Sequence, residues 1–349
     1  MYLKRSYLHH AMAFGFVAAL AGIGLASHPG IKSDHTSADV FRGAVQSQYE
    51  AAFIANNPLE EIAVSILGAV RYGVFGQAMP GAIIGREGWL FTTEELVTPE
   101  DHTQNIALAA GEVAAVHAEL AARGITLIPV ILPDKAEIYS EALGVARPER
   151  VKSRRHRFLQ ELAAEDIAAL DATDTLLRTK DAADAFMRSD THWSPDGSRA
   201  VAHLVAEWVR DQGIPLAPAT VTTRAEGRIA FDGDLLRFVP TGAFRPLMGP
   251  PQEHITRYTT TVETGGGLFG AAQVDAVLVG TSFSARDDWH FAGFLKQALS
   301  ADVINFSLEG RGPFRPMDAF LASDFLKNTS PQTVIWEIPV RYVSKELRL

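Results

Sequence analysis

Residues 125–132 read ITLIPVIL, an unbroken apolar run that follows directly on a helical pattern. In that pattern Ile106, Ala110, Val113, Val116 and Leu120 fall on one face at the 3.6-residue period, and Gly124 is placed to end the helix. A run without polar alternation fits a strand covered on both faces, as in a parallel sheet. The same succession returns downstream. A helix from Pro195 to about Gln212 carries Val201, Leu204, Val205 and Trp208, and a strand DAVLVG precedes a helix with Phe291, Phe294, Leu295, Ala298 and Leu299. Strands DVINFSL and TVIWEIP follow. Such alternation predicts an α/β layer fold with crossover helices around a parallel central sheet.

Outward from this core the pattern weakens. Residues 35–75 hold helical patches separated by Asn56, Asn57 and Pro58, and GAIIGREGWLFTTEEL changes to short strands and a turn. Residues 214–270 are rich in Pro, Gly and Thr without a sustained helical period, which predicts an irregular or short-stranded insertion. At the N-terminus Lys4 and Arg5 precede an uncharged run of 16 residues, Ala11 to Ala26. Its length falls between a signal-peptide core of about 7–15 residues and a spanning helix of about 20, so it reads as a cleaved signal or a retained anchor. Either way the basic flank stays in the cytoplasm and the chain after about residue 30 is exported. The resulting division is 1–30 signal or anchor, 31–79 helical lead-in, and 80–349 main domain.

Composition narrows the chemistry. A chain of 349 residues that is 47% hydrophobic can build a large core, and a net charge of -9 with pI near 5.7 argues against a nucleic-acid surface. There is no cysteine, so disulfides, thiolate zinc sites and cysteine nucleophiles are excluded. No HExxH spacing and no phosphate loop occurs, so neither a metal nor another cofactor is expected.

Two stretches can carry acid–base chemistry. In RSDTHWSPDG (188–197), Ser194, Pro195 and Asp196 form a strong helix start, which leaves Asp190 and His192 on the preceding loop. A carboxylate two residues away can hold the imidazole Nδ1 proton and leave Nε2 as a base; a solvated polar loop is the alternative. In VLVGTSFSARDDWHFAGFL, Ser282 follows a buried strand at the sheet's carboxyl edge, where ligands bind and free N–H groups can stabilise an oxyanion. It is placed either as a nucleophile or, with Thr281, as a helix cap.

DTHW followed by SPDG, GTSFS after a buried strand, GREGWLFTTEE, LPDKAEIYSE, GDLLRF and IWEIPVRYV together resemble the AlgX/AlgJ type of SGNH hydrolase-like O-acetyltransferases of bacterial alginate and cellulose acetylation systems. The resemblance runs from about residue 80 to the C-terminus. It implies an SGNH hydrolase-like three-layer fold with circularly permuted motif order, because Asp-x-His precedes the serine. It implies a triad of Ser282, His192 and Asp190, with an oxyanion hole from Ser282 and Gly310 or Gly312; no asparagine for it can be named. The implied function is O-acetylation of an exopolysaccharide in the periplasm by a protein anchored to the inner membrane through its N-terminal segment, with a membrane-bound, AlgI-like O-acyltransferase as acetyl supplier. A carbohydrate acetylesterase with the same triad and a non-catalytic glycan-binding scaffold are the alternatives. Trp193, Asp134, Lys135 and Arg341 are candidates to bind substrate, Asp134 with Lys135 reading equally as a structural ion pair. Trp89 and Trp336 read as core, and Glu337 and, as its alternative, Arg341 read as structural. The run Lys152, Arg154, Arg155, His156 and Arg157 holds a polyanion or is a solvated helix face.

Overall fold

The computed structural model describes residues 14–15, 17–18, 20–28, 42–57, 59–264 and 274–346. Among these, no helix is long and apolar enough to cross a membrane, and the basic flank at Lys4 and Arg5 lies outside the described residues. The chain divides into two compact units, residues 1–76 with 239–249 and residues 77–238 with 250–349.

The first unit contains α1 (Ala44–Ala55) and α2 (Glu60–Gly73), and the segment 239–249 returns against α2. That approach is backbone to backbone: a Cβ on Gly68 would lie 2.3 Å from the carbonyl oxygen of Pro240.

The second unit begins with the hairpin β1 (Ala82–Ile84) and β2 (Leu90–Thr92), followed by α3 (His102–Ala121), β3 (Thr126–Leu132), α4 (Glu149–Ala164), β4 (Leu170–Asp171) and α5 (Thr173–Ala182). Then come α6 (Pro195–Asp211), β5 (Ala219–Phe231), β6 (Glu253–Thr264), β7 (Ala276–Val279), α7 (Ser282–Ala285), α8 (Phe291–Leu299), β8 (Val303–Asn305), α9 (Phe314–Leu321) and β9 (Thr333–Pro339). Five of these strands form one parallel sheet in the order β4-β3-β9-β7-β8. The last strand in the chain is therefore the central one. Thr333 of β9 pairs with both Thr126 of β3 and Ala276 of β7, so all three strands run level and open at the same carboxyl edge.

Because side chains alternate along a strand, the sheet feeds two separate cores. Ile128, Val130, Leu132, Ala276, Leu278 and Ile335 pack against α6 and α8, through Val201, Val205, Phe291, Phe294 and Leu295. Leu127, Ile131, Val277, Val334, Trp336 and Ile338 pack on the other face against α3, α4 and α9. This is the expected three-layer α/β arrangement.

Two features differ from the sequence reading. Residues 214–270 are not irregular throughout: β5 and β6 pair antiparallel from Ala219↔Thr264 to Phe231↔Glu253, with a bulge between Ala225 and Gly227. Most β5 side chains are exposed, so the ribbon lacks the apolar alternation that marks a half-buried strand. The strand expected over DVINFSL is short, but its pairing continues as Phe306 N–H donates to Leu278 O and Leu308 N–H to Gly280 O.

The start of α6 follows its sequence signals. The Ser194 hydroxyl accepts the N–H groups of Asp196 and Gly197, both at 3.1 Å, and donates to Asp184 O. Ser194→Ala removes this cap and the bond to Asp184 O; a loss of about 1–2 kcal/mol is expected in urea unfolding.

Candidate active site

The carboxyl edge of the sheet collects the residues singled out above. β7 ends at Val279, and Gly280, Thr281 and Ser282 turn the chain into α7. The Thr281 hydroxyl caps α7 by accepting the Phe283 N–H, so Ser282 has no capping duty. Its Oγ lies 2.7 Å from His192 Nε2. On the far side of the ring, His192 Nδ1 is 2.6 Å from Asp190 Oδ1, which also accepts the His192 backbone N–H at 2.9 Å. The Asp234 N–H supplies a third bond, to Asp190 Oδ2 at 2.8 Å. Burial alone would raise the Asp190 pKa, but the bonds from His192 and Asp234 and the attraction of the imidazole outweigh it and bring it down to about 2. An ionised Asp190 can only accept, so Nδ1 carries the ring proton and Nε2 offers its lone pair to the Ser282 hydroxyl.

Aromatic rings hold the imidazole. Trp289 lies nearly parallel to it at 5.3 Å between centroids, and Phe283 is tilted against it at 4.7 Å. Trp193 is fully buried, donating its indole N–H to Phe283 O at 3.0 Å, so it packs behind the site and offers no face to a sugar.

The loop that carries Asp190 and His192 is clamped from several directions. Met187 N–H donates to His192 O and Ser194 N–H to Ala185 O. Lys135, 1% exposed, points its ammonium at the carbonyls of Leu90, Arg188 and Asp190. Burial lowers its pKa to about 8 against the pull of Glu95, Glu253, Asp190 and Asp234. Glu253, the first residue of β6, accepts the N–H groups of Arg188 and Ser189. Asp234 accepts from Thr191 N–H at 2.8 Å and from the Thr191 hydroxyl. Asp190, His192 and Asp234 bring potential ligand atoms within 4.8 Å of one another, but the oxygens already accept the bonds just described, so the group acts as a hydrogen-bonded clamp.

Three further substrate candidates are therefore reassigned. Lys135 holds the loop that carries Asp190 and His192. Asp134 is buried and paired with Arg154, whose guanidinium is fully buried. Arg341 is buried with its Nη1 3.7 Å from Glu95 and its guanidinium over the Phe283 ring. The basic run on α4 is likewise not a uniformly solvated face, since Arg155 pairs with Glu137 and Asp171. Trp89, stacked on Tyr139, and Trp336, bonded to Pro313 O, are core, as expected. Gly310 and Gly312 adopt left-handed φ of 67° and 63° after β8, in a loop tied to the Ser282 turn through Leu308 and Gly280.

Asp234, Glu253 and Trp289 escaped the sequence reading. Asp234 sits inside GDLLRF, which marked the family resemblance but gave no role; Glu253 and Trp289 carry no local signal. Glu337, read only as structural, accepts from Thr281 and Ser284 on either side of Ser282.

Residues 82–340 match the SGNH hydrolase-like domain of the acetyltransferase AlgX. The chain belongs to this family. Within it, the probable alginate O-acetylase AlgJ of Pseudomonas fluorescens is 35% identical over 322 residues, covering 89% of this chain and 80% of that protein. AlgJ of Pseudomonas aeruginosa is 34% identical over 350 residues, covering 97% and 89%. Among solved structures, the O-acetyltransferase domain of Pseudomonas putida AlgJ superposes with a TM-score of 0.71 at 33% identity, covering 77% of this chain and 94% of that one. Pseudomonas aeruginosa AlgX shares the fold, with a TM-score of 0.57 at 22% identity over 76% of this chain and 63% of its own. The AlgX family assignment agrees with the parallel sheet and with the order of motifs along the chain.

Two measurements check the support of this site. A Cβ on Gly233 would lie 2.1 Å from Ser189 O and 2.6 Å from Asp190 N, with no flexible side chain to yield. Gly233→Ala should cost about 1–3 kcal/mol in denaturant unfolding and displace the Asp190 loop. The second concerns Glu95 and Glu337, whose burial raises both pKa values from 4.5 to about 7. The folded state then keeps protons that the unfolded state has released, so their contribution to stability is full below pH 4.5 and is lost as pH rises through 7. Thermal unfolding of Glu337→Gln between pH 4.5 and 7.5 should show a flatter slope, by up to the ~1.4 kcal/mol per pH unit that one proton carries.

Proposed function

We propose that this chain is an O-acetyltransferase that acetylates a bacterial exopolysaccharide through an acetyl-serine intermediate on Ser282. The observation that carries the reading is the unbroken hydrogen-bonded line from Asp190 through His192 to Ser282, assembled from segments 90 residues apart. A scaffold would need no such relay. The names of the AlgJ relatives favour a glycan acceptor over an unrelated ester.

In this mechanism His192 Nε2 takes the hydroxyl proton as Ser282 Oγ attacks the acetyl carbonyl of the donor. The tetrahedral intermediate collapses, the donor's leaving group receives the proton from His192, and acetyl-Ser282 remains. A sugar hydroxyl then enters, gives its proton to His192 and attacks the acetyl carbon; the collapse returns the proton to Ser282 Oγ and releases the acetylated sugar. Asp190 stays ionised throughout, holding the ring orientation and offsetting the imidazolium charge. The Ser282 backbone N–H, with no acceptor among the described residues, is the first candidate donor to the oxyanion, and the loop of Gly310 and Gly312 is the place for a second.

The N-terminal pattern of basic flank and apolar run supports a periplasmic site for this chemistry, with that segment as signal or membrane anchor. Acetyl-CoA is cytoplasmic, so the acetyl group reaches Ser282 from a membrane-bound, AlgI-like O-acyltransferase.

A fluorophosphonate followed by peptide mass spectrometry should place the adduct on Ser282; an adduct elsewhere, or none, would refute the assignment. Incubation with an activated acetyl donor and glycan oligomers should yield acetylated glycan, and free acetate alone would favour an esterase. Asp190→Asn should slow acyl-enzyme formation by on the order of 10³–10⁴, and Ser282→Ala should abolish it.

A further inference from the structure

Glu337 is a completely buried carboxyl group that the acyl transfer above does not use. It lies on the central strand β9, one residue beyond Trp336, which pairs with the last residue of β7. Its Oε2 accepts the Thr281 N–H at 2.7 Å and the Ser284 hydroxyl at 3.0 Å, and Thr281 Oγ1 lies 3.2 and 3.1 Å from Oε1 and Oε2. Every donor to this carboxyl group thus comes from the residue before Ser282 or from the second residue after it. The approach is reserved for it, since a Cβ on Gly280 would lie 2.5 Å from Oε2.

A buried carboxyl group is tolerated only when its oxygens are satisfied, and here one turn of the chain satisfies them. The turn in exchange gains a rigid post. Its other ties include the Asn305 amide, which donates to Ser284 O at 2.8 Å, the Trp193 indole N–H, which donates to Phe283 O at 3.0 Å, and the Leu308 N–H, which donates to Gly280 O. None of these reaches the Thr281 N–H, the group adjacent to Ser282.

We infer that Glu337 is a positioning residue that fixes the Thr281–Ser284 turn so that Ser282 Oγ meets His192 Nε2. The inference rests on Ser282 being the nucleophile. Burial raises the Glu337 pKa, opposed by the bonds from Thr281 and Ser284 and by the charge of Arg341. What the turn requires is an acceptor at Oε2, which the ionised acid, the neutral acid and an amide all provide. Glutamine therefore preserves the device, its amide nitrogen facing Thr281 Oγ1, whereas leucine removes it.

The test compares full-length wild type, Glu337→Gln, Glu337→Leu and Ser284→Ala, each checked for folding by circular dichroism. The readouts are the rate of fluorophosphonate labelling of Ser282 and kcat and KM for p-nitrophenyl acetate. Displacement of a nucleophile by a fraction of an ångström predicts about a 10²-fold loss of labelling rate and kcat in Glu337→Leu, with KM changed by less than about threefold. Glu337→Gln should stay within about fivefold of wild type, and Ser284→Ala, which removes one donor, should lose about three- to tenfold. Wild-type rates in folded Glu337→Leu, or a Gln variant as slow as the Leu variant, would overturn the inference. If Glu337→Leu does not fold, wild-type rates in Ser284→Ala overturn it instead. Absence of label on Ser282 in the wild-type chain would sink the nucleophile assignment itself, and this inference with it; label at Ser282 with unaffected variants would sink the positioning role alone.

Discussion

Asp190 is a carboxylate with no exposed surface, and the second unit is organised to make that tenable. A charge in such a place survives only if protein groups replace the water it has lost. Three N–H groups do so, from the His192 backbone, the His192 ring and the Asp234 backbone. The ring bond does double duty, since the contact that stabilises the acid also fixes the tautomer that leaves Nε2 facing Ser282.

The surrounding framework keeps those donors in place by spending other charges, one of them, Lys135, fully buried. Lys135 offers one ammonium to three carbonyls around the loop, and Asp234 and Glu253 answer with carboxylates on backbone N–H groups. These acids flank the connection between β5 and β6, in a region that sequence composition marks only as an insertion. The ribbon is thus more than a decoration on the sheet: the residues at its base hold the loop of Asp190 and His192, and Glu337 on β9 bonds the turn that carries Ser282.

Parallel topology explains why such distant segments can meet. With β3, β9 and β7 in register, their carboxyl ends deliver Asp134 and Lys135, Glu337, and Thr281 to one edge. The loop before α6 closes over that edge. The AlgX/AlgJ relationship shows that the fold belongs to a family, and the hydrogen bonds show what each segment contributes to the site in this chain.

Hydrophobic periodicity determined the α/β layers, because an apolar run such as residues 125–132 has no stable place except between two covering layers. Local capping chemistry determined the start of α6, and the spacing of Asp190 and His192 made a braced imidazole foreseeable. The ordered motifs also pointed to Ser282. Sequence did not reveal which polar residues face substrate and which are interior supports: Trp193, Asp134, Lys135 and Arg341 have the chemistry to bind a sugar, yet all four are buried. Nor did it assign Asp234, Glu253 or Glu337 their partners. Those roles depend on contacts across 43 to 65 residues of chain, and a carboxylate's partner is set by which backbone donors the folded chain brings near it. Only the tertiary structure decides that, because hydrogen-bond satisfaction is a property of spatial neighbours, which periodicity and spacing along the chain do not encode.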